Sequence, residues 1–359
     1  LMLLHKILIT TLLISIHVNT AAQKLRWLRT ENDTAYILDL TNDLTIRTYL
    51  ANKTTRYVIG DYSFYRKLTY QTNDNYNIGL GFNYKYIGLN LGFKLPFVNE
   101  DTKRYGKTKF FDLQSFIYLR KITIDLYCLS HRGYYLASRS MAHTPGPSNI
   151  FPQRPDLHVT NIGLNAQYIF NDRKFSLRAA FLQNEFQKRS AGSFMVGAGF
   201  HHITVRADSA IVPEEIRRSG YFGTSAFNRS SITSLAVNGG YAHTFVIKTH
   251  YFITAALIGG VGVNYSTITT TFKHETDDRL TLHLDAITRL SAGYNSENYF
   301  MGAQYINFIN RNNSPVENSW QEFQTGNLKL TFAMRLKFKT NTQNAIDKME
   351  NNIKSGFGD

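Results

Sequence analysis

His283 and Asp285 stand two residues apart in an alternating run, with Arg289 further along it. If that run is a strand, the three side chains share one face. An imidazole beside a carboxylate can move a proton or hold a metal. A polar barrel interior carries the same residue types without any chemistry, and the rest of the chain supports this plainer reading. His201 and His202 are adjacent, so on a strand they point to opposite faces and cannot share one metal. Ser190-Ala191-Gly192-Ser193 lacks the Gly-x-Ser-x-Gly turn that exposes an esterase nucleophile. No Asn, His and Ser set has the spacing of an outer-membrane phospholipase. Pro213-Glu214-Glu215 reads as the start of a short loop helix, proline first and acids in the first turn, rather than as a paired-carboxylate site. No catalytic, cofactor-binding or metal-binding residue is assigned, no cofactor is expected, and the chain is read as a non-enzyme.

What positions these residues is alternation from end to end. In Tyr76–Asn83, Tyr76, Ile78, Leu80 and Phe82 alternate with Asn77, Gly79, Gly81 and Asn83. Ile87, Leu89, Leu91 and Phe93 alternate in the same way with Gly88, Asn90, Gly92 and Lys94. Such a strand has one apolar face and one small, mostly uncharged polar face. A soluble sheet usually puts Lys, Glu and Thr on its wet face. Gly and Asn suit the inside of a barrel whose apolar face meets lipid.

Composition agrees. Of 359 residues, 14% are aromatic and only 18% charged, which fits a membrane barrel with tyrosine girdles. After the first stretch no apolar run is long enough to span a bilayer as a helix. His5 and Lys6 precede an apolar run from Ile7 to Val18, and Thr20 and Ala22 suit cleavage before Gln23, so residues 1–22 read as a signal peptide. No Cys follows that run, which argues against a lipid anchor. The single Cys128 excludes an internal disulfide and falls on the apolar face with Ile122, Ile124 and Leu126. Residues 23–42 read as a periplasmic lead-in, 43–340 as the barrel and 341–359 as a C-terminal tail, where Ala345, Ile346, Met349 and Ile353 have helical spacing.

Three hairpins put both apolar faces on one side, as a true hairpin must. A turn at Tyr84-Lys85 pairs Phe82 with Ile87. A turn near Arg120-Lys121 pairs Ile117 with Ile124. A turn at Asn171-Asp172-Arg173-Lys174 pairs Phe170 with Phe175, making Phe175–Leu182 a strand. Further strands are read at Leu44–Leu50, Phe194–Val205, Ile232–Phe245, Tyr251–Val263, Leu280–Tyr294, Tyr299–Phe308 and Leu328–Phe338, with a weaker one at Arg56–Asp61. A hidden strand at Tyr221–Asn228 would even the count. Long polar connections at 132–157, 206–230, 266–280 and 309–326 are the extracellular loops. The fold is all-β, an antiparallel transmembrane barrel of the outer-membrane type with about 12–14 strands.

The formal net charge of +14 would ordinarily suggest nucleic acid, but the Lys and Arg are scattered and export separates the chain from it. Lys94, Arg178, Arg289, Lys329, Arg335 and Lys337 are read as basic groups facing the lumen, against the acids Asp112, Asp125 and Asp285. A basic lumen would concentrate anions, making a small anionic solute a candidate partner. Alternatively, the charges pair across the lumen and plug it. Outer-membrane lipids and the barrel-assembly machinery are the other expected partners.

Arg104-Tyr105-Gly106-Lys107-Thr108-Lys109, Arg132-Gly133-Tyr134-Tyr135-Leu136, Arg154-Pro155-Asp156-Leu157, Lys188-Arg189-Ser190-Ala191-Gly192-Ser193-Phe194 and Gly240-Tyr241-Ala242-His243-Thr244-Phe245-Val246 occur in that order. As a set they resemble the exported Bacteroidetes family catalogued as domain of unknown function 4421, over about Tyr36 to Phe338. The resemblance implies a β-barrel-like fold, an outer-membrane location in a Gram-negative cell and no assigned activity. The expected role is a small channel or a structural or surface-binding barrel. The alternatives are a soluble periplasmic barrel holding an apolar ligand, with the faces inverted, and an outer-membrane enzyme acting on lipid or sugar.

Overall fold

The structure, a computed structural model, describes residues 31–73, 76–84, 87–95, 101–138, 150–271 and 276–337. The chain is all-β and folds as an antiparallel barrel of the outer-membrane type. In chain order come β1 (Ile37–Asp39), β2 (Leu44–Asp61), β3 (Arg66–Gln71), β4 (Tyr76–Tyr84), β5 (Ile87–Lys94), β6 (Lys109–Tyr118), β7 (Ile122–Leu136) and β8 (Gln153–Ile169). After β9 (Glu185–Gln187) follow β10 (Ala191–Arg206), β11 (Phe227–Ile247), β12 (Tyr251–Thr270), β13 (Thr276–Asn295), β14 (Tyr299–Asn313) and β15 (Ser319–Leu336). Thirteen strands form one sheet, while β1 and β9 pair as a separate two-stranded sheet. Ten of the thirteen close the ring: β2, β3, β7, β8 and β10 to β15. The last strand shuts it against β2 along a ladder running from Ser319↔Asp61 to Leu336↔Leu44.

The faces are those that alternation predicts. Leu50, Ile78, Leu80 and Phe82 point outward and are 38–50% exposed, whereas Thr45, Arg47 and Asn83 point inward and are buried. Closure of β15 on β2 pairs both strands along their length, the condition for standing in lipid behind an outward apolar belt.

One sector departs from a plain ring. The two halves of β2 pair with different strands: Arg56–Asp61 with β3, and Thr45–Asn52 with β4. Towards the loop end, β3 meets β7 through only Tyr70↔Leu136 and Gln71↔Tyr135. Towards the end holding Leu44 and Leu336, called the terminal end below, β4 instead pairs with β5, and β7 with β6. Two extra strands are thus wedged between β4 and β7, and among the described residues no ladder joins β5 to β6.

Several sequence readings are corrected. Phe175–Leu182 is not a strand: β8 pairs directly with β10, as in Met195↔Ile169, and the intervening residues turn into the lumen around a short helix, α1 (Leu177–Phe181). In the first hairpin Tyr84 faces Ile87 and Phe82 faces Leu89, a shift of two residues that leaves every face unchanged. The Ile117↔Ile124 pairing holds. Residues 266–280 and 309–326 are mostly strand, because β12 to β15 run on beyond the apolar belt. There the outer side meets water and turns polar, and the alternation that marks a membrane strand disappears. Tyr221–Thr224 is a 3₁₀ turn, not a hidden strand. Glu214–Arg217 is the short helix expected after Pro213, α2. Phe338 and the tail 341–359, like residues 1–22, lie outside the described residues.

Candidate functional site

The interior is filled in three layers. At the loop end, residues of the 207–226 connection fold inward. Ile211, Val212, Tyr221 and Phe222 pack with Tyr57, Leu157 and Phe323 from the wall into one apolar core. Polar contacts pin this cap. The Phe222 N–H donates to Asp61 at 2.8 Å, and the Tyr221 hydroxyl donates to the Ile59 carbonyl at 2.9 Å. Arg154, well beyond the apolar belt, grips Asp156 through both carboxylate oxygens and also donates to the Ala210 carbonyl. That grip holds the Asp156 carboxyl down at about 2.

At the terminal end the plug is α1 with β1 and β9. Ser176 caps α1 by accepting from the Ala179 N–H at 3.0 Å. Glu185 is fully buried between Arg120 at 2.6 Å and Arg178 at 3.3 Å. The wall holds the plug by hydrogen bonds to residues 180–183. Arg335 donates to the Gln183 carbonyl at 2.8 Å, Gln304 donates to the Ala180 carbonyl, and Arg47 donates to the Gln183 side chain at 2.7 Å.

Between cap and plug lies a polar middle layer. Arg289 is fully buried and donates to both the Asp125 carboxylate and the Tyr118 hydroxyl. Nearby, His201, His283 and Asp285 converge with their ligand atoms all within 4.8 Å of one another.

The predicted lumen residues therefore have different fates. Arg289, Asp125 and Asp285 are in the middle layer, and Arg335 fastens the plug. Asp112 pairs with Lys53, and Lys329 lies with its ammonium 5.2 Å from the centre of the Tyr49 ring. Arg178 is buried, but on the plug helix rather than on a strand. Lys337 is exposed just past β15. The side chain of Lys94 lies outside the described residues. Sequence reasoning missed Arg47, Lys53 and Glu185. The first two were within reach, since they share a face opposite Leu44, Ile46 and Leu50. Glu185 carried no signal, because the plug has neither strand nor helix periodicity. His201 was set aside for having His202 beside it, and its partner instead comes from β13.

The wall opens beside the wedge. A cleft of about 230 Å³ lies behind the β5–β6 seam, lined among others by Lys53, Asn90, Asp112, Phe116 and Lys329. Asp112 and Leu113, successive residues that point to opposite faces, both line it, so the cleft reaches through the sheet edge. A smaller extension runs from Lys329 and Tyr49 past Arg47 to Gln183 of the plug. Among the described residues Arg47 donates only to amide and carbonyl groups, Asn90 and Asn83 among them. Asp112, the only carboxylate lining the cleft among the described residues, is engaged by Lys53. The cleft is thus lined by more basic than acidic side chains.

Solved structures similar to this chain are outer-membrane barrels. The outer-membrane protease OmpT from Escherichia coli shares 10% identity at a TM-score of 0.33, covering 83% of this chain and 98% of its own. The Pseudomonas putida toluene transporter TodX shares 9% at 0.25, covering 83% and 90%. A Pseudomonas aeruginosa FadL homologue shares 9% at 0.25, covering 86% and 95%. Likeness at this level carries no function across. Among curated proteins no significant match is found. The family's sequence model matches residues 31–335, and the chain belongs to the family described as Domain of unknown function (DUF4421).

Proposed function

We propose that this protein is an integral outer-membrane barrel that works through its side. It holds the anionic head of an amphiphile in the cleft behind the β5–β6 seam, leaves the apolar part in the membrane, and does not conduct solutes along its axis. The observation that carries the reading is the seam. β5 and β6 share no ladder among the described residues, and behind them Lys329 and Arg47 face a cleft whose one carboxylate is already paired. A strand edge left open in lipid costs several kcal/mol for each unpaired backbone group, so a retained seam calls for a polar occupant beside it. The filled cap, middle layer and plug argue against an axial channel. The outward exposure of Leu80, Leu164 and Leu257 argues against a soluble carrier with an apolar interior. The cleft offers cations and amides, the groups of a binding site, and the reading is of a non-enzyme. Export by a signal peptide, insertion by the barrel-assembly machinery and contact with outer-membrane lipids belong to the same proposal.

Native mass spectrometry of the purified barrel, equilibrated with equal phosphatidylglycerol and phosphatidylcholine in mild detergent, tests it. The anionic lipid should be retained preferentially, and Lys329→Gln should reduce that preference several-fold while Lys67→Gln at the loop end leaves it intact. Equal retention of the two lipids, or indifference to Lys329→Gln, would overturn the reading.

A further inference from the structure

We propose that His201, His283 and Asp285 form a binding site for a divalent transition-metal ion of the zinc class, set in the middle layer of the barrel. His201 comes from β10, and His283 and Asp285 come from β13. β11 and β12 lie between those strands, so the three side chains meet only across the lumen. All three are buried, and the Nε2 of His283 lies 3.7 Å from the Oδ2 of Asp285. A single ion drawn between donors at these separations needs only small side-chain adjustments to reach metal–ligand bonds of about 2.0–2.2 Å.

The imidazoles are already oriented for this. Nδ1 of His283 is 2.8 Å from the side-chain oxygen of Asn312, and Nδ1 of His201 is 2.7 Å from the Tyr127 hydroxyl. With Nδ1 carrying the proton, each ring turns the Nε2 lone pair towards the shared space. A second hydrogen bond behind each ligand is the usual way a metal-binding His is fixed. Three donor atoms are left without any hydrogen bond: Nε2 of His283 and both carboxylate oxygens of Asp285. Nε2 of His201 has only a long contact, 3.3 Å, from the Asn310 amide.

Charge and space point the same way. The buried Asp285 carboxylate has two imidazoles beside it, and the nearest strong cation along β13, Arg289, is committed to Asp125. An uncompensated buried charge is costly, and a divalent ion reverses that cost. Glycines keep the space open. A Cβ at Gly260 would collide with the Asp285 carboxylate, and one at Gly199 would stand 3.2 Å from His201 Nε2 and 3.3 Å from Asp285 Oδ2. Two nitrogens and one oxygen favour zinc, cobalt or nickel over calcium and magnesium, which take oxygen ligands.

The test uses the full chain stripped with chelator and refolded in detergent with Zn²⁺ or Co²⁺, folding being checked by heat-modifiable gel migration. One ion per folded barrel should survive gel filtration. The Co²⁺ form should show visible d–d absorption, and X-ray absorption at the zinc edge should report two imidazoles. His283→Gln and Asp285→Asn should lower retention at least tenfold, while His202→Gln and His243→Gln should not. The proposal is overturned if folded wild-type barrel keeps no stoichiometric ion, or if retention is unchanged in both site variants. Should those variants fail to fold, a zinc-edge spectrum of the wild-type protein without imidazole scattering overturns it alone.

Discussion

Arg289 and Asp125 form an ion pair across the lumen of the barrel. Arg289 is on β13 and Asp125 on β7, five strands apart by way of β12, β11, β10 and β8, and at the level of Asp125 the other neighbour of β7 is β6. The bond therefore ties two separate stretches of the wall together across the lumen, and Tyr118 and Phe308 flank the guanidinium with ring centres 5.6 and 5.8 Å away. A lumen crossed by such a pair is packed, not open.

Breaking the pair on one side should be much worse than removing it whole. Asp125→Asn or Arg289→Met should each cost about 3–5 kcal/mol in urea unfolding from detergent or lipid, because one buried charge is stranded. The double change Asp125→Leu with Arg289→Met should recover most of that loss. A double variant as weak as the sum of the singles would show that the pair is not an isolated unit.

The interior packing predicts electrical silence. Wild-type protein in planar bilayers should give no steady conductance. Replacing residues 177–187 by a short Gly-Ser link removes α1 and β9 and opens the terminal end, but the cap and the Arg289–Asp125 pair still close the bore. That variant should stay silent until the 207–226 cap is shortened and Asp125→Leu with Arg289→Met is added. Conductance from the plug deletion alone would place the seal entirely in the plug.

Alternation made the faces legible, because lipid on one side and a crowded interior on the other act on every second residue. That is why Leu80 and Asn165 can be placed without coordinates. What alternation cannot do is fix register, since a slip of two leaves each face intact, as between Phe82 and Leu89. It also fails where the environment changes, as at Asp277 and Asp278 above the belt, successive strand residues that are both charged. The plug was invisible because Leu177, Arg178 and Phe181 are all buried, so no face of α1 is left polar to mark a helix. The His201–His283–Asp285 cluster depends on ring closure, and no spacing in the chain announces a contact between β10 and β13.

Substitutions at the belt and in the interior should both destabilise, for different reasons. Leu80→Arg and Leu164→Arg, at positions 45% and 39% exposed, should each cost about 2–4 kcal/mol near the bilayer midplane. Asn165 is 1% exposed and faces Gly199 across the β8–β10 ladder, so Asn165→Arg overfills a packed lumen and should also be destabilising. Leu164→Phe separates the causes: lipid accommodates the larger ring, and stability in bilayers should barely change. A large loss for Leu164→Phe would place Leu164 inside.

The last strand closes the barrel, and truncations should respect its boundary. β15 pairs with β14 on one side and with β2 on the other, from Leu336↔Leu44 upward. Losing it would leave two long edges open in lipid, each unpaired group costing several kcal/mol. Deleting 327–359 removes the half of β15 that bears Leu328, Leu330, Phe332, Met334 and Leu336, the whole of its outward apolar run. It also removes Arg335, which holds the Gln183 carbonyl of the plug. No stable product should accumulate. Deleting 341–359 removes none of these contacts, and a heat-modifiable, membrane-inserted barrel should form at wild-type yield. Failure of the chain ending at Thr340 to assemble would mean that closure needs more than the β15–β2 ladder, and that the tail takes part in it.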